Sequence, residues 1–164
     1  MRPEISSDWK IMASPVNTEI ENVCMVSANN GWAVGEGGRI LHYDGTDWKI
    51  ASSPTTKQLY DVAMVDATDG WAVGLQGTIL KYNGSSWQMF ASPTVDRLRS
   101  VFLVTTSNGW AVGQAGTILK YNGSSWQMFA SPSGNDLNSV FMLTSNDGWA
   151  VGRQRHDPAL RDIP

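Results

Sequence analysis

Hydrophobic and polar positions recur along this chain with a step of 39 residues, and each step divides into four short strand-like runs. The first run is of the type Leu-x-x-Val-Phe-Met-Leu at 137–143, with counterparts at 20–26, 59–65 and 98–104. It is apolar on both faces toward its end, as an inner strand covered on both sides requires. After turn residues such as Ser-Asn-Asp-Gly comes Gly-Trp-Ala-Val-Gly, starting at Gly31, Gly70, Gly109 and Gly148. Trp71 and Val73 point to one side of that run, while Gly70, Ala72 and Gly74 leave a flat opposite side. This predicts a second strand sandwiched tightly between neighbouring sheets. The third run, 78–83, leads through Asn83-Gly84 into the fourth, 86–92. Asn-Gly predicts a hairpin with a type I′ turn, because both residues tolerate positive φ. A Ser-Pro pair and a variable linker close the unit; proline donates no ladder hydrogen bond and suits a chain leaving an outer strand.

Three independent markers share the period: the Gly-Trp-Ala-Val-Gly run, a second tryptophan at Trp9, Trp48, Trp87 and Trp126, and the prolines Pro15, Pro54, Pro93 and Pro132. The stretch GTILKYNGSSWQMFASP is identical at 77–93 and 116–132, so the chain grew by copying blade-sized units. Four strands in about 40 residues predict an all-β fold, a β-propeller of four-stranded antiparallel blades, with four blades per chain. No apolar spacing of 3.6 runs over ten residues, which opposes helical repeats, and the hairpin opposes a parallel β-solenoid. Residues 1–152 are read as the propeller and 153–164 as a non-repeat tail.

The two ends do not match. Asp8–Ser14 has the character of a fourth strand without local partners, whereas the last blade supplies only strands one and two. Its third strand should fall near 155–161, where the sequence reads RHDPALR, either a substitute strand or sequence foreign to the repeats. The expected solution is a closing blade shared between the N- and C-termini or between chains. Sharing between chains predicts a homodimer with an eight-bladed ring; a monomeric four-bladed ring is the competing form.

The pattern GWAVG-x-x-GTIL-x-YNG-x-x-W, followed by Ser-Pro and Leu-x-x-Val, resembles the bacterial-neuraminidase-like repeat propellers. Within them it is most similar to photosystem II assembly and stability factor-type repeats of bacterial and archaeal proteins. The resemblance covers residues 8–152 and implies a propeller with an assembly or surface-binding role rather than catalysis. It also implies an Asp-box at the turn between strands three and four. Here YDGTDW at 43–48 and YNGSSW at 82–87 and 121–126 keep the glycine and tryptophan but shorten the turn and replace Asp by Asn in two copies. An extracytoplasmic or cell-surface setting follows from the resemblance alone, and the opening MRPEISSDWK has no apolar signal-peptide centre.

Composition narrows the chemistry. A net charge of −3 leaves no electrostatic footprint for nucleic acid, and no apolar run reaches the roughly 20 residues of a membrane span. The single cysteine, Cys24, aligns with Ala63, Phe102 and Phe141 and is read as a buried packing residue. His42 aligns with Lys81 and Lys120, and His156 lies in the tail; neither has partners at ligand spacing, so no metal and no cofactor are expected. No nucleophile motif, phosphate loop or arginine cluster of the sialidase kind is present, so no enzyme activity is expected. All eight tryptophans sit at fixed blade positions and are read as packing residues.

Variation concentrates in two connections. The linker entering strand one reads VNTEIEN, TTKQLYD, TVDRLRS and SGNDLNS, and the turn after Gly-Trp-Ala-Val-Gly begins with Glu36, Leu75 or Gln114. Both connections emerge on one face of a propeller, where Glu21, Tyr60, Arg99 and Asn138 hold equivalent positions. These seven residues form the candidate rim for a ligand. The expected function is a non-enzymatic interaction scaffold for a protein partner. Alternatives are a multivalent glycan-binding propeller and a propeller fragment without an evolved function, in which the rim varies by neutral drift.

Overall fold

The computed structural model describes residues 11–153. Its strands fall into blades in chain order. Blade one comprises β1 (Ile20–Ser27), β2 (Asn30–Gly35), β3 (Ile40–Tyr43) and β4 (Trp48–Ala51). Blade two comprises β5 (Leu59–Met64), β6 (Gly70–Gly74), β7 (Ile79–Tyr82) and β8 (Trp87–Met89). Blade three comprises β9 (Leu98–Thr105), β10 (Asn108–Gly113), β11 (Ile118–Tyr121) and β12 (Trp126–Phe129). Blade four has β13 (Asp136–Met142) and β14 (Gly148–Arg153). Each sheet is an antiparallel meander in sequence order, four-stranded in the first three blades and two-stranded in the fourth among the described residues.

Period-two alternation gives each blade two packing faces. The leading face of blade one, with Trp32, Val34 and Ile40, buries against the trailing face of blade two, with Leu59, Val62, Ala72, Leu80 and Trp87. Blade two repeats the arrangement with Trp71, Val73 and Ile79 against Leu98, Val101, Ala111, Leu119 and Trp126 of blade three. At each of these junctions the strand-two tryptophan meets the next blade's tyrosine and tryptophan. Trp71 lies 4.7 Å from Tyr121 and 5.4 Å from Trp126, and Trp32 repeats both distances with Tyr82 and Trp87. The edge-on approach of the tryptophan pairs sets the positive rim of one ring toward the negative face of the other.

The glycines of the second strand make room for the first strand of their own blade and the linker that enters it. A Cβ on Gly74 would collide with the carbonyl oxygen of Gln58, which enters the blade beside it.

The expected type I′ hairpin is corrected. Four residues separate the paired ends Tyr82 and Trp87, and only Gly84 in that turn has positive φ, at 89°. Asn83 instead uses its side chain: its Oδ1 accepts from the backbone N–H of Ser85 and of Ser86, each at 3.0 Å. The Asn-Gly pair therefore acts as an Asx turn with a glycine behind it. Asn122 and Asp44 cap their turns the same way. At Asp44, the N–H of Asp47, the Lys49 ammonium and the N–H of Thr46 hold the carboxyl well below the usual range.

One further expectation is corrected at the ends of the array. Trp149 is not a packing residue: all of β14 is exposed, and its tryptophan retains 59% of its surface. The closing blade falls largely outside the described residues. Met12–Ser14 form no strand, Asp8–Lys10 and the tail at 155–161 lie outside the described residues, and the outer faces of blades one and four meet solvent. Cys24 is half-buried, packed at the edge of the first junction rather than inside it.

Candidate interaction face

One irregularity recurs in every inner strand. Pairing runs Ile20 to Gly35 and then Asn22 to Val34, Leu59 to Gly74 and then Asp61 to Val73, Leu98 to Gly113 and then Ser100 to Val112, Leu137 to Gly152 and then Ser139 to Val151. The residue passed over in each case is Glu21, Tyr60, Arg99 or Asn138. These are the four equivalent rim positions read from the sequence, and each is the extra residue of a β-bulge. A bulge bends its strand and turns one side chain out of the ladder, so each blade presents one differing side chain at the same level.

The second variable connection lies beside the first. Glu36, Leu75 and Gln114 each open a single 3-10 turn, and their backbone N–H groups donate to the carbonyls of Glu19, Gln58 and Arg97 at 2.9, 2.9 and 2.8 Å. Linker and turn are thus fastened together in three blades. Glu36 and Gln114 are exposed and Leu75 is half-buried.

Side chains extend these backbone links from blade to blade. Gln58 donates through Nε2 to Glu21, and the Tyr60 hydroxyl donates to Gln58 Oε1 at 3.2 Å. The Arg97 guanidinium lies 5.4 Å from the centre of the Tyr60 ring, a cation–π contact. Arg99 pairs with Asp136 at 3.8 Å, and Asp136 Oδ1 accepts from the backbone N–H of Ala115 at 2.9 Å. Tyr60, Arg99 and Glu21 are therefore joined to neighbouring blades, whereas Asn138 is exposed. The face carries Glu19, Glu21 and Glu36 on blade one and Arg97 and Arg99 on blade three, with Asp96 and Asp136 in the linkers of blades three and four.

Sequence reading missed Gln58, Arg97 and Asp136. They form the column two residues before the bulge, Glu19 in blade one, and the signal was available: this column differs in every copy as the bulge column does. Also missed was Asp61, whose carboxylate is wedged between inner strands. Its Oδ2 accepts from the backbone N–H of Val101 at 2.8 Å and its Oδ1 from that of Val62 at 2.9 Å. Burial pushes its pKa up, against the hydrogen bonds from Val101, Ser100 and Val62. Ser100 continues the pattern one blade on, its Oγ accepting from Val140 N–H at 3.3 Å.

His42 belongs to the packing. Its ring stacks at 4.4 Å on Trp32 and its Nε2 lies 3.0 Å from Asn30 Oδ1, while Lys81 and Lys120 cover Trp71 and Trp110 from the same position. Among the described residues no three His, Cys, Asp or Glu side chains gather into a metal-binding group, and His156 lies outside them. No helix among the described residues is long and apolar enough to cross a membrane.

Bulged inner strands, meandering blades and tryptophan-filled junctions between them decide the architecture. The fold is a β-propeller. Solved structures agree. YCF48 bound to D1 peptide superposes with a TM-score of 0.65 at 19% identity over 75% of this chain and 43% of that one. YCF48 from Cyanidioschyzon merolae gives 0.68 at 19% identity over 85% and 50%. The WD40 β-propeller domain of Doa1 gives 0.69 at 14% identity over 83% and 48%. The propeller described here thus spans half or less of the length of each of these structures. No protein-family model matches the sequence, and no curated protein is similar to it.

Proposed function

We propose that this propeller is a non-enzymatic scaffold that binds a protein partner on the bulge-bearing rim. One observation carries the reading: four bulges at one level present Glu21, Tyr60, Arg99 and Asn138, a different side chain in each blade, on a backbone otherwise nearly invariant. An asymmetric set of side chains on a symmetric frame suits one asymmetric partner in one orientation. YCF48, a fold neighbour, has been solved with a D1 peptide bound, which makes an extended peptide segment a reasonable probe.

The non-enzymatic reading draws support from where the two carboxylates with raised pKa, Asp61 and Asp69, act. Asp61 bonds backbone N–H groups between blades, and Asp69 sits beside Lys81 under the strand-two turn; neither faces the rim residues. The glycan reading has less behind it, since the tryptophans at the first two junctions have their faces covered by neighbouring rings. The Asx-capped hairpins support kinship with Asp-box repeats, as shortened forms in which Asn83, Asn122 or Asp44 takes the capping role.

A random peptide library panned against the wild-type chain, with every selected peptide re-measured on Tyr60→Ala/Arg99→Ala and on a hairpin control, Asn83→Ala, tests the reading. Binding of one peptide per chain, weakened at least tenfold by the rim variant and unchanged by the control, is expected. Peptides that bind both variants as they bind the wild type refute it, and saturable binding of one sugar at several equivalent sites on a glycan array favours the lectin.

A further inference from the structure

The two ends of the array carry the halves of a junction. On the trailing face of blade one, Val23 and Met25 are 56% and 49% exposed, although Val62, Val101 and Val140 at the position of Val23 are buried, and at the position of Met25, Met64 and Leu103 are half-buried and Met142 buried. On the leading face of blade four, Phe141, Leu143, Trp149 and Val151 are 55–60% exposed, although Trp32 and Trp71 at the position of Trp149 are buried. Every internal junction pairs a leading face with a trailing face through these same repeat positions. The two exposed faces are therefore complementary to each other rather than each to itself.

A second gap lies one blade further in. Trp32 and Trp71 are each met by a tyrosine and a tryptophan from the following blade, whereas Trp110 faces an apolar cleft of ≈ 260 Å³ lined by Val112, Val140, Met142 and Trp149 among others. In blades two and three the tryptophan filling this space is Trp87 or Trp126, the first residue of a fourth strand. Stepping back by the repeat from Trp48 gives Trp9, and DWKI occurs identically at 8–11 and 47–50.

The described end of that segment lies against blade one. Met12 corresponds to Ala51, which packs against the trailing face of blade two, and Met12–Pro15 line a cleft on the trailing face of blade one with Ile20, Ala33, Leu41 and Trp48. Residues 12–15 thus lie beside the face that an outer strand of a preceding blade would cover, without forming a strand.

We propose that copies of this chain pair head to tail. The leading face of one copy's blade four packs on the trailing face of another's blade one, and the incoming segment at 8–14 lays Trp9 into the cleft beside Trp110. The continuity of an interface repeated within the chain identifies the occupant as a second copy. Such a contact is heterologous, so it closes only if the rotation per copy completes a circle. Two copies make eight blades, the upper end of the usual propeller range. The pairing does not depend on what the rim binds.

Light scattering on the 164-residue chain at about 100 μM tests the pairing, a concentration that fills contacts of micromolar strength. The expected mass is twice the 17.9 kDa of one chain. Val23→Asp and Trp149→Asp change residues already exposed, so far-UV circular dichroism should stay unchanged while each variant alone loses association by at least about 100-fold, as for a truncated interface anchor. Trp9→Ala should weaken association by at least about tenfold. Mixed one to one, the two aspartate variants should recover a double-mass species, because one has an intact leading face and the other an intact trailing face. That species should be weaker than the wild type, with one junction in place of two. A wild type that stays at the single-chain mass overturns the proposal, as does a mixture that fails to restore pairing. A ladder of larger masses overturns the closed two-copy ring.

Discussion

Replacing the four equivalent tryptophans of the second strands by alanine should have unequal effects, ordered by what each ring touches. Trp71 is fully buried, Trp32 and Trp110 keep 5% and 8% of their surface, and Trp149 keeps 59%. A buried tryptophan removes about 150–250 Å² from water, which at about 25 cal/mol per Å² corresponds to about 4–6 kcal/mol. An unfolded chain that already shields some apolar surface lowers this, so Trp71→Ala should cost about 3–5 kcal/mol. Trp110 lacks the cross-blade tyrosine and tryptophan that meet Trp71, and its variant should cost about 1–2 kcal/mol less, since each aromatic pair contributes about 0.5–1.5 kcal/mol beyond area. Trp149→Ala should cost no more than about 2 kcal/mol, in proportion to its covered surface. Urea unfolding followed by far-UV circular dichroism reads these costs from the midpoint and slope. It should be run near 1 μM, where pairing between copies does not bury Trp149. A Trp149→Ala cost equal to that of Trp71→Ala would refute the assignment of blade faces.

Asp61→Asn should stabilise the chain at pH 7. The raised pKa means that the folded chain holds the Asp61 proton more tightly than the unfolded chain does, so wild-type stability falls as pH rises above the ordinary 3.8 toward the raised value. Asparagine keeps an acceptor for Val101 N–H without the buried charge, and blade one already has Asn22 at this position; the difference in urea midpoint between the two proteins should widen from pH 4 to 7, and a less stable variant at pH 7 would contradict it. Gly74→Ala should cost about 1–3 kcal/mol by thermal or urea melting, because the Gln58 carbonyl occupies the space of the new methyl group. Asn83→Ala should cost about 0.5–1.5 kcal/mol through loss of the caps on Ser85 and Ser86 N–H, and Asn83→Asp should restore most of it.

Repetition made most of the fold legible. Once Gly-Trp-Ala-Val-Gly fixes the period, the 39-residue spacing and the alternation around it place β1 through β14 in order, with the fourth strands read too long, 86–92 against Trp87–Met89. The candidate rim was legible for the same reason: residues that differ between copies stand out against strands that do not, and Glu21, Tyr60, Arg99 and Asn138 prove to be bulge residues. What escaped the sequence depends on register and on the third dimension. Asn-Gly is a signal for a two-residue turn only when the strands pair directly beside it, and pairing here stops at Tyr82 and Trp87, which hands the turn to the Asn83 side chain. Asp61 reads as an ordinary polar residue until the bulge at Tyr60 aims it at the next blade's backbone. Trp149 repeats Trp71 in sequence, yet a tryptophan is core only when a following blade covers it.

Amide hydrogen exchange, measured with and without a peptide selected on the wild-type chain, tests the interaction face most directly. Protection on binding is predicted in the linkers and bulges at 18–21, 57–60, 96–99 and 135–138 and in the turns at 36–38, 75–77 and 114–116. Protection confined to the hairpin tips at 83–86 and 122–125, or to the outer faces of β1 and β14, would contradict the account.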